Sequence, residues 1–250
     1  MGATLVKTRD PHDPFDAKAI EAMRGDQAMM AAARTFLGKT FEYGYYRNFT
    51  WLGRPIIQYP QDVLALQELI WDYRPTLVVE TGVAHGGALI LYASILELIG
   101  GPGEVIGVEV DFRSHNKQAL ADHPLSRRID VVEGSSIDAG VIDRVKQRAK
   151  DHDRIMVILD SLHTHDHVLE ELRVYSPLVK KGGPLVVFGT SVAEIDREID
   201  LKREWNQDQN PKTALDAFLR ENGRFEVDHE INDKLLITDA PSGYLRCTRD

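Results

Sequence analysis

Five short runs of β-branched and aliphatic residues constrain this chain more than any other feature. They read TLVVE (76–80), EVIGVEV (104–110), IDVVEG (129–134), RIMVILD (154–160) and PLVVF (184–188). Each is too short for a helix and closes on, or just before, an acid, a glycine or an aromatic residue. Between them lie stretches of helical spacing: GGALILYASILELIG, DFRSHNKQALADHP, SSIDAGVIDRVKQRAKD and HDHVLEELRVYSPLVKKGG. Strands that alternate with helices predict an α/β fold with a mostly parallel sheet covered on both faces. A further helix is expected over Asp62 to Tyr73, stopped before Pro75. The Ser and Asp residues that open SSIDAGV are candidate helix caps.

Both ends of the chain depart from this alternation. Residues 1–50 read as a separate extension, with a helical pattern in DAKAIEAMRGDQAMMAAARTFLG. Residues 51–250 make the main domain. The aromatic segment TFEYGYYRNFTWLGRPIIQYP reads as irregular, and either packs on the surface or walls a substrate site. Towards the C-terminus a charged, helix-prone stretch (195–205) precedes the helix of NPKTALDAFLREN. Two strands then follow directly, RFEVDHEI and KLLITDAPSGYLRCT. A parallel nucleotide-binding sheet that finishes on an antiparallel pair is more specific than a dehydrogenase domain.

Composition excludes several classes. A net charge of −9 argues against nucleic-acid binding driven by phosphate neutralisation. The single cysteine, Cys247, excludes an intramolecular disulfide and disfavours a cysteine-based zinc site. No apolar run reaches membrane-spanning length, and the N-terminus lacks the apolar core of a signal peptide. The expectation is a cytoplasmic enzyme with a small-molecule substrate.

The first strand ends VVETGVAHGG. Its glycine spacing is G-x-x-x-G-G, a poor match to the dinucleotide fingerprint G-x-G-x-x-G. Glu80 at the strand end would repel a pyrophosphate but would bind an ammonium, as in the aminoacyl tail of S-adenosylmethionine (SAM). Thr81, Gly82, Ala84, Gly86 and Gly87 form the turn and are the expected cofactor contacts. Glu109, or its competitor Asp111, is placed at the second strand end to take the ribose hydroxyls. Ser135 or Ser136, after the third strand, is placed for the adenine edge. Each residue alone also fits ordinary turn chemistry; three consecutive strand ends together point to SAM.

The segments WLGRPIIQYPQD, VETGVAHGGALI, GSSID, LDSLHTHDHVLEEL, NPKTALDAFL and KLLITDAPSGYLR resemble the cephalosporin hydroxylase family. That family is close to the sugar O-methyltransferases of antibiotic pathways, rhamnosyl O-methyltransferases included. The likeness runs from about Thr50 to Arg246. It implies a Rossmann-like SAM-dependent methyltransferase fold, a divalent metal beside SAM, and a homo-oligomer. It implies for Asp160, at the fourth strand end, contact with the cofactor and with Mg²⁺, and for His163 the role of general base. Imidazole titrates near working pH and suits removal of a proton from a sugar hydroxyl. His165 and His167 begin a helix, where His165 faces away from the other two, and are read as supporting contacts.

By the same resemblance an acid is expected after Phe188, where this chain has Gly189. Unless Glu194 or Asp196 folds back to complete the metal site, only weak Mg²⁺ dependence is expected. On the acceptor side, Tyr45, Tyr46, Trp51 and Arg54 either line a sugar site, with Arg54 on a phosphate, or dock the N-terminal segment. REWNQDQNPKT (203–213) is either a lid or a linker. The leading reading is a SAM-dependent O-methyltransferase acting on a nucleotide-linked deoxysugar or a glycoside in natural-product biosynthesis. The alternatives are a SAM- or nucleotide-binding partner of a hydroxylase system without its own methyl transfer, and an NAD-dependent oxidoreductase. The glycine spacing and Glu80 disfavour the oxidoreductase.

Overall fold

The structure is a computed structural model that describes residues 16–195 and 205–250. Asp196, most of the stretch 195–205 and the first two residues of the segment 203–213 lie outside the described residues. Two helices come first, α1 (Ala17–Gly25) and α2 (Gln27–Glu42). Their continuous helical pattern is divided by Asp26, whose carboxylate accepts the N–H groups of Ala28 and Met29 at 2.9 and 3.0 Å and starts a new helix. The aromatic segment expected to be irregular carries a hairpin, β1 (Phe49–Trp51) and β2 (Arg54–Ile56). Leu52 and Gly53 turn it with φ of 44° and 85°, the left-handed pair that a two-residue hairpin turn requires.

The alternation then unfolds as α3 (Pro60–Tyr73), β3 (Leu77–Thr81), α4 (Gly87–Ile99), β4 (Glu104–Glu109), α5 (Ser114–Ala121), β5 (Ile129–Glu133), α6 (Ala139–Ala149), β6 (Ile155–Leu159), α7 (His165–Tyr175) and β7 (Pro184–Val187). Helix α3 begins two residues earlier than expected because Pro60, whose ring presets φ, takes its first position. The Ser and Asp candidates do not cap α6: Asp138 precedes the helix without a side-chain cap bond. The chain closes with α8 (Pro211–Glu221), β8 (Phe225–Val227), α9 (His229–Asn232) and β9 (Tyr244–Cys247).

The main sheet runs β5-β4-β3-β6-β7-β9-β8. Strands β3 to β7 are parallel, while β9 is antiparallel to both neighbours. Alternate side chains feed two cores. Val78, Met156 and Ile158 pack with Leu66 and Ile90 under α3 and α4, and Leu77, Val79 and Val157 pack with Val145, Leu172 and Phe218 under α6, α7 and α8. Burial on both faces is why these strands read as continuous apolar runs. Strand order reverses between β3 and β6, and such a switch point opens a crevice at the carboxyl ends of the strands.

The last strand is shorter than its sequence suggests. Of KLLITDAPSGYLRCT only Tyr244–Cys247 is strand, because the preceding segment wraps the fully buried Asp62. That carboxylate accepts the Thr238 hydroxyl, the Asp239 N–H at 2.8 Å and the Tyr244 hydroxyl at 2.7 Å. Burial pushes its pKa up to about 7 against the pull of these donors. The folded chain therefore holds a proton that the unfolded chain has already released, and stability is lost as pH rises through that window. Asp62→Asn should shrink the drop in melting temperature between about pH 4.5 and about pH 7.5. An equal drop in variant and wild type would show that this carboxyl does not contribute.

Candidate active site

A cleft of about 1030 Å³ opens over the switch point. Its floor is the end of β3. Glu80 is buried there; one oxygen accepts the Tyr92 hydroxyl at 2.7 Å, and the other is buried with no partner. Burial raises its pKa well above the ordinary value despite the Tyr92 bond, and the charges of Asp160 and Glu109 add to the rise. A cation in the cleft would offset that cost. Beyond it the chain turns at Gly82 (φ 89°), so close to β6 that a Cβ would stand 2.0 Å from the Asp160 carbonyl oxygen.

Several expected cofactor contacts are engaged otherwise. Glu109 folds onto the glycine-rich turn and accepts the Val83 and Ala84 N–H groups, both at 2.9 Å. Ala84 sits at φ 49° to allow this. Asp111 is exposed and pairs with Arg113; neither acid lines the cleft. Ser136 is buried and donates to Glu171 at 2.5 Å, with His167 at 2.9 Å, while the Ser135 carbonyl accepts the Asp138 N–H. Thr81 lends its carbonyl to the Asp160 N–H, its own side chain buried outside the cleft. Gly86 (φ 81°) starts α4, and Gly87 makes room for the hairpin, since a Cβ there would stand 2.1 Å from the Pro55 carbonyl oxygen. Arg54 clamps the same junction, bonding the His85 carbonyl at 2.6 Å and Asn116 at 3.1 Å, so it holds the turn rather than facing a ligand. Trp51 likewise docks, its indole N–H on Ser94 at 3.0 Å.

The three histidines part company. His165 meets Thr213, which also belongs to the N-terminal cap of α8, and His167 meets Ser136. His163 alone of the three lines the cleft. Its Nε2 lies 3.2 Å from Asp160 Oδ1, while Asp160 Oδ2 accepts the Gln58 amide at 3.0 Å. The two side chains keep 20% and 22% exposure, enough to meet a ligand. Burial lifts Asp160 to about 6, with His163 pulling it down. For His163 burial pulls the pKa down, but the Asp160 bond and the charges of Asp160, Asp239 and Glu171 outweigh it, and the net shift is upward.

Glu194 does not fold back. It is exposed at the end of a short 3₁₀ turn, outside the residues that line the cleft. Among the described residues no three His, Cys, Asp or Glu side chains converge as a metal site. Two residues that sequence reasoning passed over face the cleft instead. Gln58 follows the hairpin, and Asp239 comes from the segment before β9, fixed by the Gly189 N–H at 2.9 Å and the Ser191 hydroxyl at 2.5 Å. No local spacing marks either one. Phe41, Tyr43, Tyr46 and Trp205 add an aromatic wall, with Arg47 over the Tyr46 ring and Trp205 against the His163 ring.

The reversed strand order, the antiparallel close and a strand-end cleft walled by acids define a Rossmann-like methyltransferase fold. The chain belongs to the rhamnosyl O-methyltransferase/CmcI family, whose model matches residues 43–248. It is an O-methyltransferase, as its relatives are. The rhamnosyl O-methyltransferase of Mycobacterium tuberculosis is 30% identical over 210 residues, which cover 80% of this chain and 81% of that one. CmcI solved with Mg and SAM shares the fold at a TM-score of 0.57 and 16% identity, covering 81% of this chain and 77% of that one. MycE, of the mycinamycin pathway, solved with Mg, S-adenosylhomocysteine and mycinamycin VI, shares it at 0.52 and 20% identity, covering 96% and 64%.

Proposed function

We propose that this protein moves a methyl group from SAM to a hydroxyl of a deoxysugar in natural-product biosynthesis, with His163 as general base. The observation that carries this is the His163–Asp160 pair, 3.2 Å apart in the same cleft as the unpartnered buried oxygen of Glu80. That oxygen fits the ammonium of SAM, and the Gly82 turn, packed on the Asp160 carbonyl, lines the same cleft. When bound, SAM supplies a methyl group made electrophilic by the sulfonium.

The chain's own residues do the rest. An ionised carboxylate only accepts, so the Asp160 contact places the proton of neutral His163 on Nε2. Its Nδ1 then presents a lone pair, and among the described residues nothing is bonded to it. Nδ1 takes the hydroxyl proton as the acceptor oxygen bonds to the methyl carbon, and the carbon–sulfur pair stays on sulfur. Asp160 stabilises the imidazolium that results, and the aromatic wall excludes water.

Arg47 is the one Arg or Lys among the described residues lining the cleft, against Glu42, Glu80, Asp160 and Asp239. A diphosphate needs a denser set of donors, so the charge favours a glycoside over a nucleotide-linked sugar. The test is formation of S-adenosylhomocysteine with matched panels of the two; silence on both panels, with SAM bound, would sink the proposal.

A pH profile tests the base. The acid limb of kcat/KM should lie above the ordinary imidazole value, because the base must be neutral and its pKa is raised. Asp160→Asn should move that limb to lower pH, since burial then acts without the carboxylate. An unmoved limb would assign it to another group.

A further inference from the structure

The space beside the end of β7 is filled by a ring. Gly189 follows Phe188 with φ 74°, and a Cβ there would lie 2.9 Å from Cγ, Cδ2 and Cε1 of His163 alike. Three ring atoms at one distance mean that the imidazole lies face-on over the glycine. No side chain can project from position 189 while His163 keeps its place. The carboxylates on either side are already turned to donors. Asp160 takes the His163 Nε2–H and the Gln58 amide, and Asp239 takes the Gly189 N–H and the Ser191 hydroxyl. Mg²⁺ prefers a near-octahedral shell of oxygens. Here N–H and O–H dipoles already point at the acid oxygens, and a nitrogen ring stands where a third oxygen ligand would be needed. The residues do not fit the cation seen with CmcI and MycE.

We propose that the His163 imidazole stands in for a divalent cation in this chain, held between Asp160 and Asp239, and that Gly189 exists to admit it. The proposal rests on His163 being the base. Proton transfer leaves a positive imidazolium between two anchored carboxylates, so the charge a metal would supply arises on the protein itself. Asp239 is a positioning residue: it reaches the ring's surroundings through Gly189 and Ser191, not through substrate.

Spin resonance of Mn²⁺ titrated into the full-length protein, with and without S-adenosylhomocysteine, reads the site without any acceptor. It therefore stands even if the sugar assignment fails. The wild type should take up no Mn²⁺ at the cleft, and its turnover should survive excess chelator. Stoichiometric Mn²⁺ that Asp160→Asn abolishes, or turnover lost to chelator, would overturn the proposal. The double variant His163→Ala/Gly189→Asp should gain a Mn²⁺ signal, because the ring's space is vacated and a carboxylate supplied; failure to gain it would also count against the claim. Asp239→Asn should lower the acid limb of the wild-type pH profile, which a merely structural role would leave in place.

Discussion

His163→Ala should lower methyl transfer by about two to four orders of magnitude, the usual worth of a positioned base. SAM affinity should stay within about twofold, because the cofactor tail is assigned to Glu80 rather than to the imidazole. A sugar hydroxyl is a very weak acid, and among the described residues His163 is the one imidazole bonded to Asp160. Single-turnover rates would show the loss and titration calorimetry the unchanged binding. A variant that kept a tenth of wild-type turnover would remove His163 from the proton transfer. One that lost SAM binding would place the ring against the cofactor instead.

Gly82→Ala should be the most damaging single methyl in the site. The added carbon would stand 2.0 Å from the Asp160 carbonyl oxygen, 2.7 Å from its carbon and 3.0 Å from the Ser161 Cα, all backbone atoms without freedom to swing away. The left-handed φ adds about 1–2 kcal/mol, and forced overpacking about 1–3 kcal/mol. A loss of about 3 kcal/mol lowers the melting temperature by about 6–12 °C in a chain of this size. Activity should fall further than stability, because the strand end that moves carries Asp160. Gly140→Ala is the control: a Cβ there meets nothing within 4 Å, and its helical backbone favours alanine. Equal melting shifts in the two variants would refute the steric account.

The parts of this protein legible in sequence are those built from neighbours along the chain. A strand buried on both faces must be apolar throughout, so β3, β4, β6 and β7 stand out as runs, and their ends mark where a cleft can open. Glu80 and Asp160 stand at such ends, His163 was singled out by the family resemblance, and all three line the cleft. Glu109, Ser136, Gly87 and Arg54, read from the sequence as ligand contacts, are also engaged inside the protein. Their residue types suit a ligand, but each found a partner within the protein: the turn amides, Glu171, the hairpin backbone and the His85 carbonyl.

The encounters across the fold needed the tertiary structure. Gln58 reaches Asp160 over 102 positions, and Asp239 meets the Gly189 amide over 50. Asp62 gathers Thr238 and Tyr244 from the far end of the chain. Sequence alone determined the sheet and the acids at its edge, because hydrophobic periodicity is a local property that burial enforces. Only packing decided that His163 lies over Gly189 and that Gln58 and Asp239 join the cleft, since which side chains meet depends on how strands far apart in sequence are laid together.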